Sequence, residues 1–89
     1  MIFRVHALRR MFQRRITVDD VRRALAGADV VEDYPDDLPY PSRLVLGWSG
    51  RRALHVVVAG NAEAAQEIVI TAYEPEPERW ESGFRRRRT

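Results

Sequence analysis

Two periodicities divide the chain. From Val5 to Leu25 apolar residues recur at helical spacing, and from Val30 to Tyr73 they run as short extended stretches rich in valine and isoleucine. At about 100° per residue, Val5, Leu8, Met11 and Phe12 share one arc with Ala7 at its edge, which predicts a helix over about His6 to Arg14. Prolonging it would place Arg15 inside the apolar arc, so the helix is expected to end just before Arg15. Thr17 then reads as the N-cap of a second helix, with Asp20 as its capping-box partner. Asp19 and Asp20 suit the positive end of that helix, and Arg22 and Arg23 the other. Val18, Val21, Ala24 and Leu25 supply its buried stripe and Gly27 its stop.

The extended half begins at Val30-Val31-Glu32-Asp33-Tyr34 and is broken by Pro35-Asp36-Asp37. Leu38-Pro39-Tyr40-Pro41 cannot continue a central strand, because its prolines have no N–H to donate. Ser42–Trp48 and Ala53–Val58 flank Ser49-Gly50 as a hairpin, a loop is expected over Gly60–Gln66, and Glu67–Tyr73 forms the last strand. Ile2-Phe3-Arg4-Val5 is either a short first strand or a lead-in. The expected architecture is α+β, with a helical hairpin (1–27) on one face of an antiparallel sheet of about four strands (28–73). A proline-rich, acidic and then arginine-rich tail (74–89) follows. Its aromatics, Trp80 and Phe84, could pin it, although disorder is the default for Arg85–Arg88.

Charge sharpens this picture. The net charge of +2 conceals a partition. Residues 1–27 carry seven arginines against Asp19 and Asp20, whereas residues 28–41 carry five carboxylates and no cation. The pattern implies a phosphate-facing surface at the front and a different surface behind it. At 89 residues the chain is expected to be a single domain. No secretory signal pattern or membrane-length apolar run is present, so the expected compartment is the cytoplasm. There is no cysteine and no lysine.

The P-loop, the dinucleotide fingerprint, the nucleophile elbow and the HExxH motif are all missing. Two histidines among scattered carboxylates do not make a metal site. No cofactor and no metal are expected. What remains is the set of groups used in metal-independent RNA cleavage: a base, an acid and fixed cations. His6, Arg10 and Arg14 stand at four-residue steps and so stack along one helix face. His6 is a base or an ordinary polar helix-start residue. Arg9, Arg10 and Arg14 hold phosphate, pair with the acidic connector or are simply solvated. His55, between Leu54 and Val56, is a buried core histidine or a second proton carrier. If Ser49-Gly50 is a two-residue turn, it shares a face with Leu44, Leu46 and Val57. Tyr73 is an acid, a stacking platform or a strand-end aromatic, and Arg43 is a candidate phosphate clamp. Arg85–Arg88 would attract polyanions regardless of sequence.

The phrase His6-Ala7-x-x-Arg10-Met11-x-x-Arg14-x-Ile16, followed by Asp20-Val21, resembles the opening of a group of small prokaryotic domains of unknown function. Val31-Glu32-Asp33-Tyr34, Pro39-Tyr40-Pro41-Ser42-Arg43, His55-Val56-Val57-Val58 and Thr71-x-Tyr73-x-Pro75 are similar to its later segments. That group looks like a branch of the RelE/ParE/BrnT-like toxin superfamily. The resemblance implies a RelE-like fold and metal-independent endoribonuclease activity, with ribosome-associated messenger RNA as a possible target. It also implies a cognate antitoxin encoded nearby and a site using His6, Arg10, His55 and Tyr73. A non-catalytic RNA- or protein-binding module on the same fold is the alternative. Family members often carry glycine where this chain has Arg15.

Overall fold

The computed structural model describes residues 1–61 and 66–89. Its elements are β1 (Ile2–Phe3), α1 (Val5–Gln13), α2 (Val18–Leu25), β2 (Asp29–Tyr34), β3 (Ser42–Ser49), β4 (Arg52–Asn61) and β5 (Gln66–Tyr73). Most of the loop expected over Gly60–Gln66 lies outside the described residues.

The α+β expectation is met, with a larger sheet. Five strands stand in the order β1-β5-β4-β3-β2. The sheet is mixed, because β1 runs parallel to β5, pairing Ile2 with Ile68 and Phe3 with Val69. The other pairings are antiparallel.

Both helix boundaries follow from local chemistry. α1 stops at Gln13, and Arg15 turns the chain with φ of 57°. That is the left-handed region, where a side chain is strained and glycine is not. At α2 the Thr17 hydroxyl accepts from the Asp20 N–H at 3.0 Å, and the Thr17 N–H donates to the Asp20 carboxylate at 2.9 Å. The capping box is complete. The helix ends at Leu25 with Ala26 as its C-cap, so Gly27 stands just past the end as expected, although its φ is not in the left-handed region.

The core joins Met11, Ile16, Val21 and Ala24 from the helical half to Val45, Leu54, Val56, Val58, Val69 and Ala72 from the sheet. Burying each such valine or leucine contributes about 1.5–3 kcal/mol. α1 lies over β5, and α2 over β3 and β4. α2 comes so close that a Cβ on Gly47 would stand 2.0 Å from the Ala24 carbonyl oxygen.

One expectation about α1 fails. It buries Ala7 and Met11, whereas Val5 is 65 % exposed and Phe12 86 %. α1 sits over the sheet's edge, where β1 pairs only two residues of β5. Among the described residues no strand extends beneath the outer half of the helix to bury Val5, Leu8 and Phe12.

Candidate functional site

The helices cover one face of the sheet, and the chemistry gathers on the other. The hairpin turn falls at Gly50-Arg51, one residue later than expected, with Ser49 paired to Arg52. This moves the register by two residues and leaves each side chain on its expected face. His55 therefore lies with Leu46, its pairing partner, and with Leu44 and Val57, away from the helices. Across the next ladder His55 is the partner of Tyr73. Their rings meet edge to face with centroids 5.6 Å apart.

The tail closes over this pair. Trp80 is buried to 3 % exposure, and its ring lies 4.5 Å from the His55 ring at an interplanar angle of 87°. The Phe84 carbonyl oxygen lies 2.8 Å from His55 Nε2. A carbonyl only accepts, so Nε2 carries the proton, and in the neutral ring Nδ1 keeps its lone pair. Nδ1 is buried and has no hydrogen-bond partner. Burial, the largest influence, pushes the His55 pKa below its usual 6.5, and the nearby Arg87 adds to this. The Phe84 carbonyl and Glu32 oppose it. Burial also raises the Tyr73 pKa above 10, so the phenol keeps its proton at neutral pH.

Arg14 reaches the same place from the helix side. Past Val69 the outer edge of β5 has no strand partner among the described residues, and Arg14 Nη1 donates to the Ala72 carbonyl there at 3.0 Å. Arg52 fixes the turn that carries it, donating to the carbonyls of Arg15 at 2.7 Å and Arg14 at 2.9 Å and to Glu74 at 2.7 Å. Between these parts opens a cleft of about 480 Å³, lined by Arg14, Tyr73, Glu74, Glu76, Arg79, Trp80 and Arg87. That volume falls within the range of small-molecule sites.

On the far edge of the sheet, Arg87 donates to both oxygens of Glu32, at 2.7 and 3.0 Å, and its guanidinium lies 4.7 Å from the Trp80 ring centre. Tyr34 donates to the same carboxylate. Arg87 first, and then Tyr34, hold the Glu32 pKa down to about 2. Arg85 pairs with Asp29. A bulge between Val30 and Glu32 makes both grips possible. Residues three apart on a regular strand point to opposite faces, and the bulge brings Asp29 and Glu32 to one face.

The other residues singled out from the sequence are not gathered here. His6 is exposed in the first turn of α1, eight residues from Arg14 and so roughly 12 Å along the helix axis. His55 faces away from α1 across the sheet, so the two histidines do not form a pair. Arg9 and Arg10 are exposed on α1. Arg43 pairs with Glu67 at 2.6 Å and sits three ladder positions from His55. Among the described residues no three His, Asp or Glu side chains converge as a metal site would require.

Residues 3–74 match the family described as Domain of unknown function (DUF4258). The chain belongs to this family. No curated protein and no solved structure matches it. The DUF4258 match contains Arg14, Glu32, Arg52, His55 and Tyr73 and ends at Glu74. Arg79, Trp80, Phe84 and Arg87, which close over His55, all come from beyond it. Sequence reasoning missed Glu32, Arg52, Arg79 and Arg87. In the sequence Arg85–Arg88 reads only as an attractor of polyanions, and the acidic stretch 28–41 is set against the arginines of α1 and not against the tail.

Proposed function

We propose that this DUF4258 protein is a metal-independent endoribonuclease of the toxin–antitoxin type, with its site on the sheet face that carries His55 and Tyr73. The observation that carries the reading is the side-by-side placement of a neutral imidazole and a protonated phenol, 5.6 Å apart, with the Arg14 guanidinium beside them at the edge of β5. In the neutral imidazole one ring nitrogen carries the proton, and the other is the free base. It takes the ribose 2′-hydroxyl proton, and the 2′-oxygen attacks the adjacent phosphorus. The bond to the 5′-oxygen breaks, and Tyr73 protonates that oxygen as it leaves. The products are a 2′,3′-cyclic phosphate and a 5′-hydroxyl. Arg14, held on the Ala72 carbonyl, faces the charge that builds on the phosphoryl oxygens. His6 has no part in this chemistry, and Arg9 and Arg10 serve as general attraction for the RNA strand.

A cognate antitoxin is the partner expected for such an enzyme. Its landing place would be α1, where Val5, Leu8 and Phe12 are exposed beside Arg9 and Arg10. The same surface favours the alternative of a non-catalytic RNA- or protein-binding module.

Incubating the protein with labelled single-stranded RNA in EDTA separates these readings. Cleavage leaving 2′,3′-cyclic phosphate ends, and abolished by 2′-deoxy substitution at the cut, supports the enzyme. Salt-sensitive binding without cleavage, in the wild type and in Trp80→Ala alike, supports the module and refutes the enzyme.

A further inference from the structure

The residues beyond Glu74 are built into the fold. The Glu81 N–H donates to the Arg86 carbonyl at 2.7 Å, the Arg88 N–H donates to the Arg79 carbonyl at 2.8 Å, and Trp80 bridges Arg87. A small antiparallel loop results, turning at Gly83 and Phe84, both with positive φ. It leaves the end of β5, crosses the sheet above His55 and is gripped on β2 at the opposite edge.

The grip is economical. Among the described residues it consists of the buried Trp80 indole and Pro75 ring, the Phe84 carbonyl on His55, a tilted ring contact of Phe84 with Trp48 at 6.5 Å between centroids, and the pairs Arg87–Glu32 and Arg85–Asp29. Both ion pairs are partly open to water, where such contacts hold weakly and are screened by salt. Closure also strands His55 Nδ1 in the interior without a partner, which penalises the closed form. A cover with modest grips and a built-in penalty is poised to lift.

We infer that residues 75–89 form an autoinhibitory strap, which shuts His55 away from substrate while the Arg87–Glu32 grip holds and exposes it when that grip is lost. The inference rests on the ribonuclease reading for what the strap inhibits, and on the contacts alone for what it covers. In the closed form Tyr73 and Arg14 reach the cleft from the family domain, whereas Arg79, Trp80 and Arg87 supply the wall that blocks the imidazole.

The test uses the full chain with Arg87→Glu, Glu32→Arg and the double reversal. Diethylpyrocarbonate modification is read at each histidine by peptide mass spectrometry, with exposed His6 as the internal reference. RNA cleavage in EDTA is followed in parallel. In the wild type His6 should react and His55 should be protected. Each single reversal should raise His55 modification and RNA cleavage together, by roughly tenfold or more if the open population rises by that factor. The double reversal, which rebuilds the pair with opposite polarity, should restore protection. Trp80→Ala leaves β2 untouched and should move His55 in the same direction if charge reversal unfolds the edge strand. Continued protection of His55 in the folded variants overturns the strap. Cleavage that falls as His55 becomes reactive also overturns it, because the segment would then be a working part of the site. Exposure of His55 with no cleavage in any variant sustains the cover and refutes only the ribonuclease reading.

Discussion

The His55 ring stands edge-on to the Trp80 indole, with centroids 4.5 Å apart. Sequence places these residues 25 positions apart, and the second falls outside the DUF4258 match. The contact links a conventional buried strand to a proline- and arginine-rich tail that it pins through Trp80, and it ties protonation of the imidazole to stability.

That link has a definite sign. Burial holds the His55 pKa below 6.5 in the folded chain, whereas the unfolded chain protonates near that value. The stabilising contribution is complete above pH 6.5 and is lost as pH falls toward the folded value. The loss has a slope of at most about 1.4 kcal/mol per pH unit. Glu32 is held at about 2 and weakens the fold only when pH falls below its unfolded value of 4.5. Denaturant unfolding between pH 6.5 and 5 should therefore show a decline that His55→Gln flattens. A wild-type profile already flat over that window would contradict the burial of the ring.

Gly47 marks the closest approach of helix to sheet. A Cβ there would meet the Ala24 carbonyl oxygen at 2.0 Å, which no rotamer can relieve because the obstruction is backbone. Gly47→Ala is expected to cost about 3 kcal/mol or more, above the common overpacking range, since α2 must move as a body. Thermal unfolding measures this directly, and a loss under about 1 kcal/mol would mean that α2 rides higher on β3.

Arg15 works in the opposite direction. It holds φ of 57° at the turn between the helices, and among the described residues its contacts are made by the backbone, the carbonyl accepting from Arg52 and the N–H donating to the Phe12 carbonyl at 3.2 Å. Arg15→Gly removes the left-handed strain and adds unfolded-state entropy, for an expected net gain of about 0.5–1 kcal/mol. A destabilised variant would show that the Arg15 side chain makes a contribution beyond the backbone geometry.

Much of the fold was legible because its signals are local and redundant. Thr17 and Asp20 announce the second helix through reciprocal hydrogen bonds, and Arg15 in the apolar arc of α1 announces the end of the first. The parity of the β3–β4 hairpin survived a misplaced turn because a two-residue shift leaves every side chain on its face. Two features were not legible. Two residues, Ile2 and Phe3, carry no period, so the parallel pairing of β1 with β5 was invisible. Val5, Leu8 and Phe12 obey helical spacing yet find no sheet beneath them, because the spacing reports a face and not what covers it.

The site was less legible than the fold. His55 and Tyr73 were both candidates, and their partnership depended on a register across β4 and β5 that sequence does not specify. The row of His6, Arg10 and Arg14 was correctly spaced on a helix. That helix covers the face opposite His55, however, and only Arg14, at its end, reaches the edge of β5. The docking of the tail depended on a bulge at Val31 that turns Asp29 and Glu32 to one side. A bulge leaves no composition signal of its own.

The most direct test of the His55–Tyr73 site is the single-turnover rate of RNA cleavage in EDTA for Tyr73→Phe, with folding verified by thermal unfolding. Loss of the phenolic proton leaves the ring and its contact with His55 in place, so a rate roughly 100-fold or more below wild type is the expected result, in keeping with loss of a general acid. A Tyr73→Phe rate equal to that of the wild type would contradict the site.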